Sequence, residues 1–370
     1  MECIYDTQSI AKGLHHIMQM IPSSSMNALY CKLEDGIKRM DEPMQLAVIG
    51  KISSSKSTLV NALLGKNEIM TTGQKEITYN VGWLKYGNPD SDIIIHHKDN
   101  TPVVYKKPKE FALWSTQNHN PEIDNISYIE IFDDAEILKE INIIDTPGLD
   151  ALRGKDSQNT LEFIQKVRPD AVIMLFTHSV SENILDIVRQ YNSGNSFNPL
   201  NAIGVLAKID VLWQEGFDRE ESAIEIGKDI AMDLKNKNPM LSKTLFNLYP
   251  ISALQFLASS TLDESTLSGL VCLSKSENDQ LKKAFISVRN FLSPGACLNL
   301  TVQQREDIIL KVGLYGAFLI VNSIKRGEVT DIQSARCLLW NESGAQDFMK
   351  VLHNHFGMRA KLIKMESLYQ

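Results

Sequence analysis

The stretch that decides the reading is Leu46-Ala47-Val48-Ile49-Gly50-Lys51-Ile52-Ser53-Ser54-Ser55-Lys56-Ser57-Thr58-Leu59-Val60-Asn61-Ala62-Leu63-Leu64. An apolar run ends in glycine, a short polar turn follows, and a helix-forming segment begins at Thr58. In that setting successive backbone N–H groups of the turn point at one place. The free N–H groups and dipole of the helix start add a field that favours an anion. Gly50, Ser53, Ser54, Ser55, Lys56, Ser57 and Thr58 are the candidate cradle residues. Lys56 would neutralise β- and γ-phosphates, and the Ser57 hydroxyl would hold a magnesium ion. The spelling departs from G-x-x-x-x-G-K-[ST] at Ser55, where glycine would take positive φ freely. Read alone, the segment is equally a serine-rich turn before an ordinary helix. The rest of the chain has to decide.

Ile141-Asn-Ile-Ile-Asp145-Thr-Pro-Gly148 is a strand ending in a carboxylate and a tight turn. An aspartate at the carboxyl end of a strand beside the cradle is where a magnesium ligand acting through water belongs, and the Gly148 N–H could approach a γ-phosphate. The same four residues also suit an ordinary strand exit. Thr71-Thr72-Gly73 and Thr78 lie between the two motifs; a threonine hydroxyl there could complete the metal shell, or be an ordinary loop residue. Further on, Val205-Leu-Ala-Lys208-Ile-Asp210 ends another strand. Asp210 could accept the two N–H donors of a guanine edge while the Lys208 stem covers the ring, an arrangement that rejects adenine. Tyr249-Pro-Ile-Ser252-Ala253 ends the next strand and would close the base pocket with backbone N–H groups. Each tetrad is weak, but their order is specific. An ATP-using enzyme with the same cradle is disfavoured by Lys208-x-Asp210.

Composition sets the outer bounds. With 370 residues, 43% hydrophobic and 22% charged, the chain can bury a large α/β core. A net charge of −7 argues against general nucleic-acid binding. The five cysteines (Cys3, Cys31, Cys272, Cys297, Cys337) form no CxxC pair, as expected of reduced cytosolic thiols without a zinc site. The N-terminus lacks a basic region followed by an apolar run, so no secretory leader is expected. Val312 to Val321 reads as a buried helix, because it covers only about half a membrane span.

Strand-like runs end at Gly50, Tyr86, His96, Phe132, Asp145, Phe176, Ala207 and Ile251, alternating with helical patterns. That alternation predicts a mostly parallel sheet flanked by helices, with a polar insertion at 88–125 containing a hairpin. Residues 1–43 read as a helical hairpin, 44–255 as the nucleotide domain, and 256–370 as a helical region. In the last, Ala253 to Ser260, Leu281 to Leu292, Val302 to Ile324, Ala345 to His355 and Arg359 to Tyr369 have helical spacing.

With these residues in place, the chain resembles the dynamin-like GTPases, especially the bacterial ones. The guanine-nucleotide motifs carry the likeness together with Ser57-Thr-Leu-Val-Asn-Ala-Leu-Leu-Gly65, the Thr72-Gly73-x4-Thr78 spacing and Ile137 to Gly148. The resemblance implies a P-loop GTPase domain with a helical neck or stalk-like part and GTP hydrolysis with magnesium. It also implies homo- or hetero-dimerisation across the active sites. It gives Lys56 and Ser53 to the phosphates and transition-state charge, Ser57, Thr78 and Asp145 to magnesium, Gly148 to the γ-phosphate, and Lys208 and Asp210 to guanine. Ser55, Ile52 and Ala207 depart from the family's pattern, which implies slow turnover or a GTP-binding partner of a second, more active GTPase. A long stalk and a membrane-binding tip are not evident, so the expected location is cytoplasmic, with peripheral membrane contact through a partner.

Overall fold

The computed structural model describes residues 38–40, 42–51, 53–67, 69–70, 80–99, 101–111, 125–147, 169–177, 200–215, 222–296 and 298–366, with Gly13, His16, Glu34 and Trp114. Most of the expected N-terminal hairpin, Ile52, Thr71–Thr78 and Gly148 lie outside them.

The strands are β1 (Met44–Gly50), β2 (Val81–Tyr86), β3 (Ile93–His97), β4 (Val104–Lys106), β5 (Ile126–Asp133), β6 (Ile141–Asp145), β7 (Ala171–Phe176), β8 (Ala202–Ala207) and β9 (Leu248–Ile251). They form one sheet in the order β4-β3-β5-β2-β6-β1-β7-β8-β9. From β6 to β9 every pairing is parallel. β1, β6, β7 and β8 are buried along their whole length and read as near-continuous apolar runs, as strands covered on both faces must. Toward the other edge β2 runs antiparallel to β6, and β3 and β4 make an antiparallel hairpin inside the polar insertion.

The helices are α1 (Lys56–Leu64), α2 (Ile209–Glu215), α3 (Ala223–Lys237), α4 (Pro239–Thr244), α5 (Ala253–Thr261), α6 (Glu264–Ser274), α7 (Asn278–Ala284), α8 (Val288–Leu292), α9 (Val302–Lys325), α10 (Ile332–Glu342), α11 (Ala345–Val351) and α12 (Ala360–Glu366), with a π turn over Leu352–Gly357. One sheet face packs Leu59, Leu63, Phe256, Phe348, Leu352 and Phe356 against Leu46, Val48 and Ile143. The other packs Ile226, Leu234 and Tyr315 against Ile49, Ile144 and Met174. A third cluster lies within the helical half, where α6, α7 and α8 surround α9. Among the described residues, α9 is a helix long and apolar enough to cross a membrane; 56% of that window is buried in the fold. It is also interrupted: Gly313 has φ 67 and ψ 175.

Two element readings change. Leu281 to Leu292 is not one helix, because the Ser287 hydroxyl accepts from the Asn290 N–H and starts α8 afresh. The helix expected to run on to His355 changes to wider π winding from Leu352.

Candidate nucleotide site

Register puts the candidate residues on one edge. Val48 of β1 pairs with Asp145 of β6, Gly50 with Leu175 of β7, and Ala207 of β8 with Ile251 of β9. The carboxyl ends of these parallel strands therefore present Gly50, Asp145, Lys208 and Ser252 along the same rim, the place where open α/β sheets bind ligands.

The turn after β1 is wound for close approach. A Cβ on Gly50 would stand 2.7 Å from Ser54 Oγ and 2.9 Å from Leu175 Cβ, so only glycine fits. Ser53 and Ser55 hold left-handed backbone at φ 56 and φ 68. Ser55, the residue that departs from the cradle consensus, thus takes the conformation glycine would. Its side chain does not cap α1, which has no acidic residue in its first turn. Ser54 is buried with an unpartnered hydroxyl. Lys56 Nζ, almost entirely buried, donates to the Gly50 carbonyl at 3.1 Å and the Lys51 carbonyl at 2.8 Å. Its charge is thereby held over the mouth of the turn.

Ser57 Oγ donates to Asp145 Oδ2 at 3.0 Å. The other oxygen, Asp145 Oδ1, is buried without a hydrogen-bond partner. Burial pushes this carboxyl up to about 6, against the pull of Lys56 and the Ser57 hydrogen bond. A buried carboxylate with one orphaned oxygen beside a hydroxyl is a hard oxygen donor set that fits magnesium. The next residue braces the strand exit: Thr146 Oγ1 donates to the Val48 carbonyl at 2.8 Å.

Lys208 also adopts left-handed backbone, φ 62, and its carbonyl accepts from the N–H groups of Val211 and Leu212 to start α2. On that first turn sits Asp210, whose carboxyl is raised by burial and steadied by Ser252. Ser252 Oγ donates to Asp210 Oδ1 at 2.7 Å. The expected use of the Ser252 backbone N–H toward a base is changed, because it donates to the Ser343 carbonyl at 2.9 Å. Ser252 instead offers its side chain to Asp210, and Ala253 opens α5 as a buried residue. The sequence reading passed over Gln255, although Ser252-x-x-Gln255 has the spacing of a capping box. It also passed over Asn61, fully buried in α1. Asn61 Nδ2 donates to the Met70 carbonyl at 3.0 Å, and the Met70 N–H returns a bond to Asn61 Oδ1 at 2.8 Å.

A Lys-Ser cradle between strand and helix, an acidic strand end against its serine, and Lys-x-Asp two strands away are the parts of a P-loop protein of the GTPase class. Residues 46–209 match the model of the Dynamin family. Isoniazid-induced protein IniC of Mycobacterium tuberculosis is 26% identical over 346 residues, covering 91% of this chain and 67% of that protein. Dynamin-like protein 2 of Campylobacter jejuni is 25% identical over 191 residues, covering 52% of this chain and 30% of that one. A solved chain of an oligomerised bacterial dynamin pair aligns with TM-score 0.40 and 17% identity over 79% of this chain and 50% of its own length. The match to the Dynamin family model thus runs from β1 through β8 of the sheet, and the chain is similar to bacterial dynamin-like proteins.

Proposed function

We propose that this chain binds GTP and hydrolyses it to GDP and phosphate with magnesium, in nucleotide-dependent dimers through the GTPase domain. The observation that carries the reading is Asp145: buried at the end of β6, 3.0 Å from Ser57, with its second oxygen unpaired. Ser57, Asp145 and, by resemblance, Thr78 would hold the metal, which when bound supplies positive charge to the β- and γ-phosphate oxygens. Lys56 exchanges its two backbone carbonyls for phosphate oxygens. The turn after β1 and the start of α1 would surround the phosphates with N–H donors, and by resemblance Ser53 and Gly148 would serve the γ-phosphate. Water attacks in line, and the developing charge meets donors already in place. Asp210 accepts from the guanine edge, and Lys208 covers the ring.

A second reading is favoured by Ser55, held at φ 68, and by Ala207: a slow GTP-binding partner of another GTPase or of a membrane-remodelling protein. Calorimetry of the full chain with GTP, with and without magnesium, tests the first reading, together with single-turnover phosphate release at increasing chain concentration. Saturable magnesium-dependent heat that Lys56→Ala abolishes is expected. No heat with GTP ends both readings, while binding without concentration-dependent turnover leaves the second.

A further inference from the structure

Gln255 sits in the first turn of α5 with 0% of its surface exposed, so both ends of its amide need partners inside the protein. Nε2 donates to the Val312 carbonyl of α9 at 2.7 Å, and Oε1 faces the Ser252 hydroxyl. That hydroxyl also lies 2.7 Å from Asp210 Oδ1. A serine carries one hydroxyl proton, so it serves Asp210 or Gln255 Oε1 at any moment but not both. Whatever fixes the Gln255 amide therefore bears on how Asp210 is held. What fixes it is the break in α9. Gly313 leaves helical geometry, and the carbonyl just before it is the one that accepts Nε2.

Two glycines of α9 make the room. A Cβ on Gly313 would come within 2.9 Å of Leu254 Cδ2 and 3.5 Å of Gln255 Nε2, and one on Gly316 within 3.1 Å of the same nitrogen. At Gly313 the backbone itself also requires glycine. The helical half is thus shaped to receive Leu254 and Gln255, in the helical turn that Ser252 caps. One nearby contact joins the same halves: Tyr315 Oη accepts from the Ala223 N–H at 3.2 Å, while donating to Glu342 Oε2 of the helical half at 3.0 Å.

We infer that Gln255 is a positioning residue: it sets how Asp210 is presented to a purine edge, and it makes that presentation depend on the break in α9 at Gly313. The inference rests on the guanine site proposed above. Binding and helix conformation then form one linked equilibrium, in which a change at either end appears at the other.

The test is the ratio of affinities for GTP and ITP, measured by competition on the full chain at a temperature where every variant is folded. ITP lacks the 2-amino group, so the ratio reads the contact to the Asp210 carboxylate and is insensitive to phosphate binding. Gln255→Leu and Gly313→Ala should each shrink the ratio about tenfold, the scale of a hydrogen bond to a charged group. Ser57→Ala, a change on the phosphate side alone, should weaken both nucleotides and leave the ratio alone. Gln255→Met, which keeps the side-chain length but cannot donate to Val312, should also shrink it and serves if the leucine variant does not fold. A role confined to packing would weaken GTP and ITP equally, and ratios within twofold of wild type in folded variants overturn the inference. A wild-type chain that binds neither nucleotide refutes the guanine site itself, a result distinct from unchanged ratios.

Discussion

Ser55 and Asp145 show how single residues load this site with cost. A non-glycine residue in left-handed backbone is strained by roughly 1–2 kcal/mol, and Ser55 carries that strain at the centre of the turn. Ser55→Gly should raise folding stability, by less than the full strain because glycine gives up more freedom on ordering, as read from urea unfolding; Ser55→Ala, which keeps the strain, should gain nothing. Equal stabilities for the glycine and alanine variants would refute the strain account. Asp145 is the opposite case, a side chain whose charge is costly without a partner. Its folded carboxyl titrates near 6 and its unfolded one near 4, so the folded state holds the proton more tightly. The contribution of this one group is therefore full below about pH 4 and is lost as pH rises through 6. Without nucleotide or metal, Asp145→Asn should lose less melting temperature than wild type between pH 4.5 and 6.5, while binding no magnesium–GTP. Parallel pH profiles would remove Asp145 from the buried position.

Among elements, the helices of the C-terminal half are set by caps more than by apolar periodicity. α6 begins at Asp263, whose carboxylate accepts from the Thr266 N–H at 2.7 Å and pairs with Lys311 of α9. The Lys311 hydrogen bond and the cap hold this carboxyl down to about 2. Its contribution is present above about pH 4 and is lost as pH falls toward 2. Asp263→Ala should cost about 1 kcal/mol at neutral pH and almost nothing at pH 2, read from urea unfolding; a cost independent of pH would exclude the carboxylate as its source. Gly344 between α10 and α11 stands at φ 77, and a Cβ there would be 2.1 Å from the Pro250 carbonyl oxygen. Backbone meets backbone at that point, so Gly344→Ala should destabilise by about 3 kcal/mol or more. Melting within a few degrees of wild type would contradict the contact.

For the whole molecule, the last helices are part of the sheet's covering. Phe348, Leu352 and Phe356 are completely or almost completely buried in the cluster that holds Leu46 and Ile143. Lys364 of α12 donates to the carbonyls of Arg39 and Glu42, and Arg39 pairs with Asp170 at 2.7 Å, just before β7. Phe348→Ala should cost about 3–5 kcal/mol and lower the unfolding of sheet and helical half together. Two separated transitions, with that of the sheet unmoved, would show the halves to be independent.

Much of this was legible in order along the chain. Buried parallel strands need apolar residues on both faces, and Met44–Gly50, Ile141–Asp145, Ala171–Phe176 and Ala202–Ala207 announce themselves as such runs. Two of them end in Gly50 and Asp145 themselves and the other two are followed at once by Thr177 and Lys208, which is why the rim residues could be picked out beforehand. Less legible were α6 and α10, rich in Ser, Thr, Cys and Gln, whose helicity depends on docking and on the caps Asp263 and Asp331. The antiparallel setting of β2 was equally hidden, since strand direction leaves no local trace. Sequence by itself determined the succession of the buried strands and the residues on the rim, because those follow from apolar runs, turn chemistry and spacing. Only the tertiary structure decided that Ser252 turns its hydroxyl to Asp210, that Gln255 reaches the carbonyl before Gly313, and that Phe348 closes the sheet. Each of these joins residues far apart in the chain, and burial, which forces every polar end to find a partner, exists only once the chain has folded.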